Sequence, residues 1–391
     1  MKQWLPGFCL LLFCFFELRA QQQADTTLLQ SIQLGFFASR IAVSPNVLSP
    51  VVAVAGKGKL AYYSTDGRLI GYPKFPENAV PDALCWSSDG ELLAVLCNKS
   101  KRIFLYSISG KLLQQWDTGV ESKSKVVDIV WMRLEGQLVS CYADGLLRFW
   151  TPASDHPLMD IRERQLFIWK GLEDGKPNYM TGPFSNGIIP PGVQAFDLSP
   201  DGSSILTAHA TDGMARHLKF LGSGVPGQSW KAPFSYGFEQ IRYSPDGAHF
   251  AAINGATKSL WIQGMDSLGR RESLIPGVMT MVRYNADGSR LYLAHSGALQ
   301  ERDAWGNLLR IIPTGFEIAD FALNSEANWG ILLFSKHFAV YQLRPELPKP
   351  SLKPLVEPVF ENQKSKIQNP KSKIQNHFSS IFAFSSLPIK R

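Results

Sequence analysis

The chain has 391 residues, long enough for one to three domains, and its 45% hydrophobic and 19% charged residues exclude wholesale disorder. No apolar run reaches the ~18 residues of a membrane-spanning helix, which excludes a multi-span membrane protein. The net charge of +7 gathers in residues 349–391, where eight basic residues face only Glu357 and Glu361, so the body is neutral and carries no electrostatic footprint for nucleic acid.

Residues 1–20 read as an export signal. Lys2 starts it, Trp4 to Phe16 form its apolar run, and Arg19-Ala20 then meets Gln21-Gln22-Gln23. Such a run spans roughly 20 Å as a helix, short of the ~30 Å apolar core of a bilayer. Cleavage after Ala20 is expected, leaving no integral membrane span in the mature chain, with an uncleaved anchor as the alternative. The protein is therefore expected to be exported, periplasmic or extracellular, and cytoplasmic only if this signal does not act.

Residues 28–37 alternate like a strand, and a repeat follows them. Its full form is a strand, a Ser-Pro-Asp-Gly turn or a relative, and a second strand. It appears as Leu84 to Trp86, then Ser87-Ser88-Asp89-Gly90, then Leu92 to Val95. It returns with Ser199-Pro200-Asp201-Gly202, Ser244-Pro245-Asp246-Gly247 and Asn285-Ala286-Asp287-Gly288, each between alternating runs. Asp-Gly supplies a tight turn and the two-residue alternation supplies strands. Weaker copies begin at Arg40, Val127 and Ile318. Seven units result, at about 40–76, 83–117, 126–162, 193–231, 238–275, 278–313 and 316–343. A unit of this size cannot bury its own faces, so neighbours must stack.

Between the third and fourth units, 163–192 is an aromatic, turn-rich insertion. It reads either as a binding loop, carried by Phe167, Trp169, Tyr179 and Phe184, or as a structural hairpin, cap or irregular fourth strand near Gln165 to Trp169. It could also hide an incomplete unit, which leaves the count open between six and eight. After the seventh unit, prolines at 345, 348, 350 and 354 stop the sheet. Residues 348–391 form a basic tail in which Lys364-Ser365-Lys366-Ile367-Gln368-Asn369 returns as Lys371 to Asn376 at a seven-residue period. One apolar residue per hexapeptide and Pro370 between the copies exclude a coiled coil, so the tail is expected to be disordered.

The pattern resembles WD-repeat (WD40-like) β-propellers. The residues that carry the resemblance are the Ser-Pro-Asp-Gly turns and third strands such as Ala143-Asp144-Gly145-Leu146-Leu147-Arg148-Phe149-Trp150. It covers most of the chain. The family's Gly-His pairs are missing, and no unit ends in Trp-Asp at the family's position, so the family's Asp-His-Ser-Trp bracing network is not expected intact. The resemblance implies an all-β fold, a seven-bladed β-propeller of four-stranded antiparallel blades over 28–347. Residues 28–37 are expected to supply the outer strand of the last blade and close the ring.

Four units share a column eight residues after the turn aspartate: Cys97, His209, Asn254 and His295. His209, Asn254 and His295 are the candidates for a small-ligand or metal site at the channel mouth, against the plainer reading that each bonds within its own blade. Beyond the leader, Cys85, Cys97 and Cys141 sit in apolar strands and read as small buried hydrophobes. No Cys-x-x-Cys pair, Gly-x-Ser-x-Gly elbow, His-Glu-x-x-His or phosphate-binding loop is present, so no catalytic residue, metal or cofactor is assigned. The expected function is a non-catalytic scaffold, monomeric, binding a protein or peptide partner. The alternative is an exported propeller enzyme or small-ligand or metal binder working at the channel mouth.

Overall fold

The computed structural model describes residues 27–343, apart from 47, 120–123, 134–135, 163–168, 174–175, 180–191, 211–213, 220–227, 232–236, 255–257, 266–269, 275–278, 296 and 325–328. Residues 1–26 and 344–391 lie outside the described residues. Short alternating runs broken by Asp-Gly turns form strands throughout, and the described residues hold a single helical turn, Asn98–Ser100.

Seven four-stranded antiparallel sheets form a ring. Their first strands are Ala38–Val43, Ala83–Trp86, Val126–Trp131, Val193–Leu198, Gln240–Tyr243, Met279–Tyr284 and Asp320–Leu323, for blades 1 to 7. These first strands surround the central channel, and each blade builds outward from its own by hairpins. Antiparallel pairing puts the turns between first and second strands on one face of the disc, here the turn face. The links between blades lie on the other, the connection face.

Blade 7 takes its outer strand from the opposite end of the chain. Thr27–Gln33 pairs antiparallel with His337–Gln342, closing the ring as expected from 28–37. Leu34 N–H to Lys336 O (2.8 Å) and Ala38 N–H to Ser335 O (2.7 Å) tie down the link into blade 1.

The core is a set of apolar seams between neighbouring blades. At the closing seam, Val52, Val54 and Ala61 of blade 1 meet Ile331, Leu333, Phe338 and Val340 of blade 7. Between blades 2 and 3, Trp116 stacks on Trp150 with ring centres 5.5 Å apart. Second strands such as Val51–Gly56, Ser204–His209, His249–Asn254 and Trp329–Phe334 are buried along their whole length, because a neighbouring blade covers each face.

The turns repeat atom for atom. Gly90, Gly202 and Gly247 each donate their N–H to the carbonyl of Ser87, Ser199 and Ser244 at 2.9 Å, and Gly288 donates to Asn285 at 3.1 Å. Each turn aspartate accepts the serine hydroxyl or asparagine amide and a backbone N–H beyond the glycine, as Asp201 does from Ser199 (2.6 Å) and Ser203 (3.0 Å). The turns also nest. A Cβ at Gly288, at φ +74°, would press on Pro245 of the preceding turn at 3.3 Å, and one at Gly247 would lie in ordinary contact with Pro200 at 3.5 Å.

Two details refine the sequence expectation. In blade 3 one link of the family's bracing network forms, Trp150 Nε1–H donating to Ser140 Oγ at 2.9 Å. That blade carries the sequence's closest match to the family pattern, which sets Ser140 and Trp150 on facing strands. Cys85 is only half-buried and stands in the channel wall, while Cys97 and Cys141 are buried. None of the three is in a disulfide.

Blade 3 ends in its own outer strand, Met159–Arg162, so 165–169 is not needed to complete it. The insertion holds a separate hairpin, Trp169–Glu173 against Lys176–Tyr179, with Trp169 opposite Tyr179. Phe167 and Phe184 lie outside the described residues.

Candidate functional site: the central channel

The two-residue period of a strand sends every second side chain of each first strand into the channel. Two layers result, each with one residue per blade. Towards the connection face lie Arg40, Ala83, Asp128, Ala195, Gln240, Met281 and Asp320, around a cavity of about 440 Å³. Towards the turn face lie Ala42, Cys85, Val130, Asp197, Arg242, Arg283 and Ala322, around a cavity of about 410 Å³. The two cavities share Leu84, Cys85, Val130, Asp197, Arg242 and Arg283, which form the waist between them.

The charges at the waist are arranged rather than scattered. Arg242 of blade 5 donates to Asp128 of blade 3 (3.0 Å), to Phe196 O of blade 4 and to its own Ile241 O (both 3.1 Å). Burial acts to lower its guanidinium pKa, and the carboxylates of Asp128 and Asp197 more than offset this, so it is raised. Burial pushes the Asp197 and Asp320 carboxyls up, against the opposing pull of Arg242 and Arg283 and of backbone N–H groups. Burial pushes the Cys85 thiol up to about 12, so it stays protonated and unreactive at neutral pH.

Several of the same residues staple blade to blade. Asp320 of blade 7 accepts the N–H of Ile41 in blade 1 (3.0 Å), and Asp197 of blade 4 accepts that of Tyr243 in blade 5 (2.8 Å). Gln240 of blade 5 accepts the N–H of Val282 in blade 6 (3.0 Å). Asn98 of blade 2 accepts the N–H of Val126 and donates to its carbonyl, both at 2.9 Å. Each bond satisfies a first-strand backbone group on a neighbouring blade.

His209 and Asn254 are buried at the ends of the second strands of blades 4 and 5, and His295 is half-buried at the same place in blade 6. Cys97 holds the equivalent place in blade 2. These strands stand one strand outward from the channel wall, and none of the four residues lines either channel cavity. His209 Nε2 lies 3.3 Å from Thr207 Oγ1 of its own blade. Among the described residues, no three His, Cys, Asp or Glu side chains come together in a group able to hold a metal ion. Sequence reasoning missed the channel charges, although their signal was present. Asp197, Arg242 and Arg283 are each the penultimate residue of a first strand, charged where the flanking residues are apolar.

No protein-family model matches the chain, and no curated protein matches it in sequence. Its fold is similar to a chain in a solved structure titled "Crystal Structure of Mitotic Checkpoint Complex", with a TM-score of 0.62 at 14% identity. The match covers 81% of this chain and 92% of that one. At that identity the likeness shows the fold alone, the seven-bladed propeller described above.

Proposed function

We propose that this chain is an exported, non-catalytic scaffold that acts as a monomer and presents its rigid ring to a protein or peptide partner. One observation carries the reading. The outer strands of three consecutive blades expose large apolar side chains: Leu308, Leu309 and Ile311 on blade 6, Leu28 and Leu29 on blade 7, Leu69 and Ile70 on blade 1. Large apolar side chains exposed on neighbouring outer strands are surface that a partner can cover, and these strands also carry unpaired backbone edges.

The test captures partners with the mature chain from an extract of its own source. It is repeated with a Leu309→Lys/Ile311→Lys variant and with a Trp169→Ala/Tyr179→Ala variant of the hairpin. A protein retained by the unaltered chain and lost from one variant supports the reading and says which surface binds. Recovery of no protein, or of the same proteins from all three, refutes it. The export reading rests on residues 1–20 and is tested by N-terminal sequencing of the protein from its source, where Gln21 is expected as the first residue.

A further inference from the structure

We propose that the turn-side half of the channel is a binding site for an organic carboxylate with an apolar body, received by Arg283. The site is independent of the rim, so its failure would leave the scaffold reading untouched.

The layer that lines this chamber has two different walls. To this layer blades 4 to 6 contribute Asp197, Arg242 and Arg283 and the remaining four blades small or apolar side chains, while the exposed Arg133 of blade 3 also lines the chamber. The last residue of a first strand is Trp86, Trp131, Tyr243 or Tyr284 in four of the seven blades, and each borders the chamber while packing into the seam between blades. A ligand that fits both walls is apolar along one side and charged at one end.

The sign of that charge follows from which groups are already committed. Asp197 accepts backbone N–H bonds on both oxygens, from Leu198 (3.0 Å) and Tyr243 (2.8 Å). Arg242 already holds a carboxylate and two carbonyls. Arg283 differs from both. A guanidinium carries five donors. Its one carboxylate contact, Nη2 to Asp320 Oδ1, is 3.4 Å, at the long limit of a hydrogen bond. That carboxylate is itself taken up by the N–H groups of Ile41 (3.0 Å) and Phe321 (2.7 Å). Arg283 Nε is buried with no partner, and the guanidinium lies over the Phe321 ring at 5.6 Å. The side chain as a whole is 37% exposed and lines both cavities. The channel thus holds a partly exposed, under-coordinated cation beside an apolar wall, where a carboxylate gains a charge-assisted bond. The chamber, about 410 Å³, falls within the range of small-ligand pockets, roughly 300–1,000 Å³.

Such a carboxylate is either a free small acid or the C-terminus of a peptide chain. Calorimetric titration of the mature protein with hexanoate and hexanamide, and with a leucine-ended tripeptide in free and amidated form, separates the two. Fluorescence of Trp86 and Trp131, which border the chamber, gives a second readout. We expect the acid to bind at least about tenfold tighter than its amide, and Arg283→Met to weaken the acid by at least about tenfold with the melting temperature little changed. Binding of hexanoate identifies a free acid as sufficient, and binding of the free-ended tripeptide alone identifies a chain terminus. Equal binding of acid and amide, no saturable binding of any probe, or full binding by Arg283→Met overturns the proposal. If Arg283→Met does not fold, the acid–amide comparison on the unaltered protein decides.

Discussion

Asp320 joins three parts of the molecule through one carboxylate: the N–H of Ile41 across the closing seam, the N–H of Phe321 and the Arg283 guanidinium. Replacing it by alanine leaves a buried donor without an acceptor. Asp320→Ala should therefore lower stability by about 1–3 kcal/mol in urea unfolding, with Asp320→Asn losing less. The turn aspartates carry a pH dependence of known sign. Asp66 is held below the ordinary carboxylate value chiefly by the Ser64 hydroxyl. Burial pulls Asp201 and Asp246 upward, but the hydroxyls of Ser199 and Ser244, together with backbone N–H groups, bring both below it. A depressed carboxyl binds its proton less readily in the folded state than in the unfolded chain. Its contribution is therefore present above the unfolded value, about pH 4, and is lost as pH falls through the folded one. The melting temperature should drop on acidification below about pH 4, and drop less in an Asp66→Asn/Asp201→Asn/Asp246→Asn variant, which has no such carboxyls to protonate.

The turn and the closing strand decide stability at the scale of elements. A methyl group at Gly288 would meet a positive φ and the ring of Pro245 together. Gly288→Ala should cost on the order of 1–3 kcal/mol, more than an alanine at an exposed strand position, as read from denaturant midpoints. Thr27–Gln33 contributes a whole edge rather than a point contact. Without it, the third strand of blade 7 presents an open row of backbone donors and acceptors. A chain lacking residues 1–33 should elute from size exclusion as oligomers or aggregate, where a chain lacking only residues 1–20 should run as a single species.

The whole molecule is a ring, and this changes how damage spreads. In an open repeat array each unit contacts only its neighbours and can fray from an end. Here the seam between blades 7 and 1 removes the ends. The protein should unfold in one cooperative transition, and Asp320→Ala should shift that transition as a unit rather than broaden it. Calorimetry with two spectroscopic probes checks this, and transitions that fail to coincide would count against it. The ring also separates its surfaces. The apolar rim lies on outer strands and the charged waist on first strands, so changes at Leu309 and at Arg283 should act independently.

What the sequence determined by itself was everything that repeats locally. Alternation marked the strands, Asp-Gly pairs marked the turns, and the prolines after the seventh unit together with the orphan strand at 28–37 implied closure. These signals are readable because a strand's period and a turn's chemistry depend on nearest neighbours alone. The tertiary structure decided what radius each residue occupies. Cys97, His209, Asn254 and His295 share a column, but a column fixes only height along a blade. Standing on second strands, the four hold equivalent places in separate blades and line neither channel cavity. Asp128, Asp197, Arg242, Arg283 and Asp320 are dispersed in the sequence, and only closure of the ring brings them around one axis. Their chemistry depends on which charge faces which across the channel, and that is a property of seven blades at once.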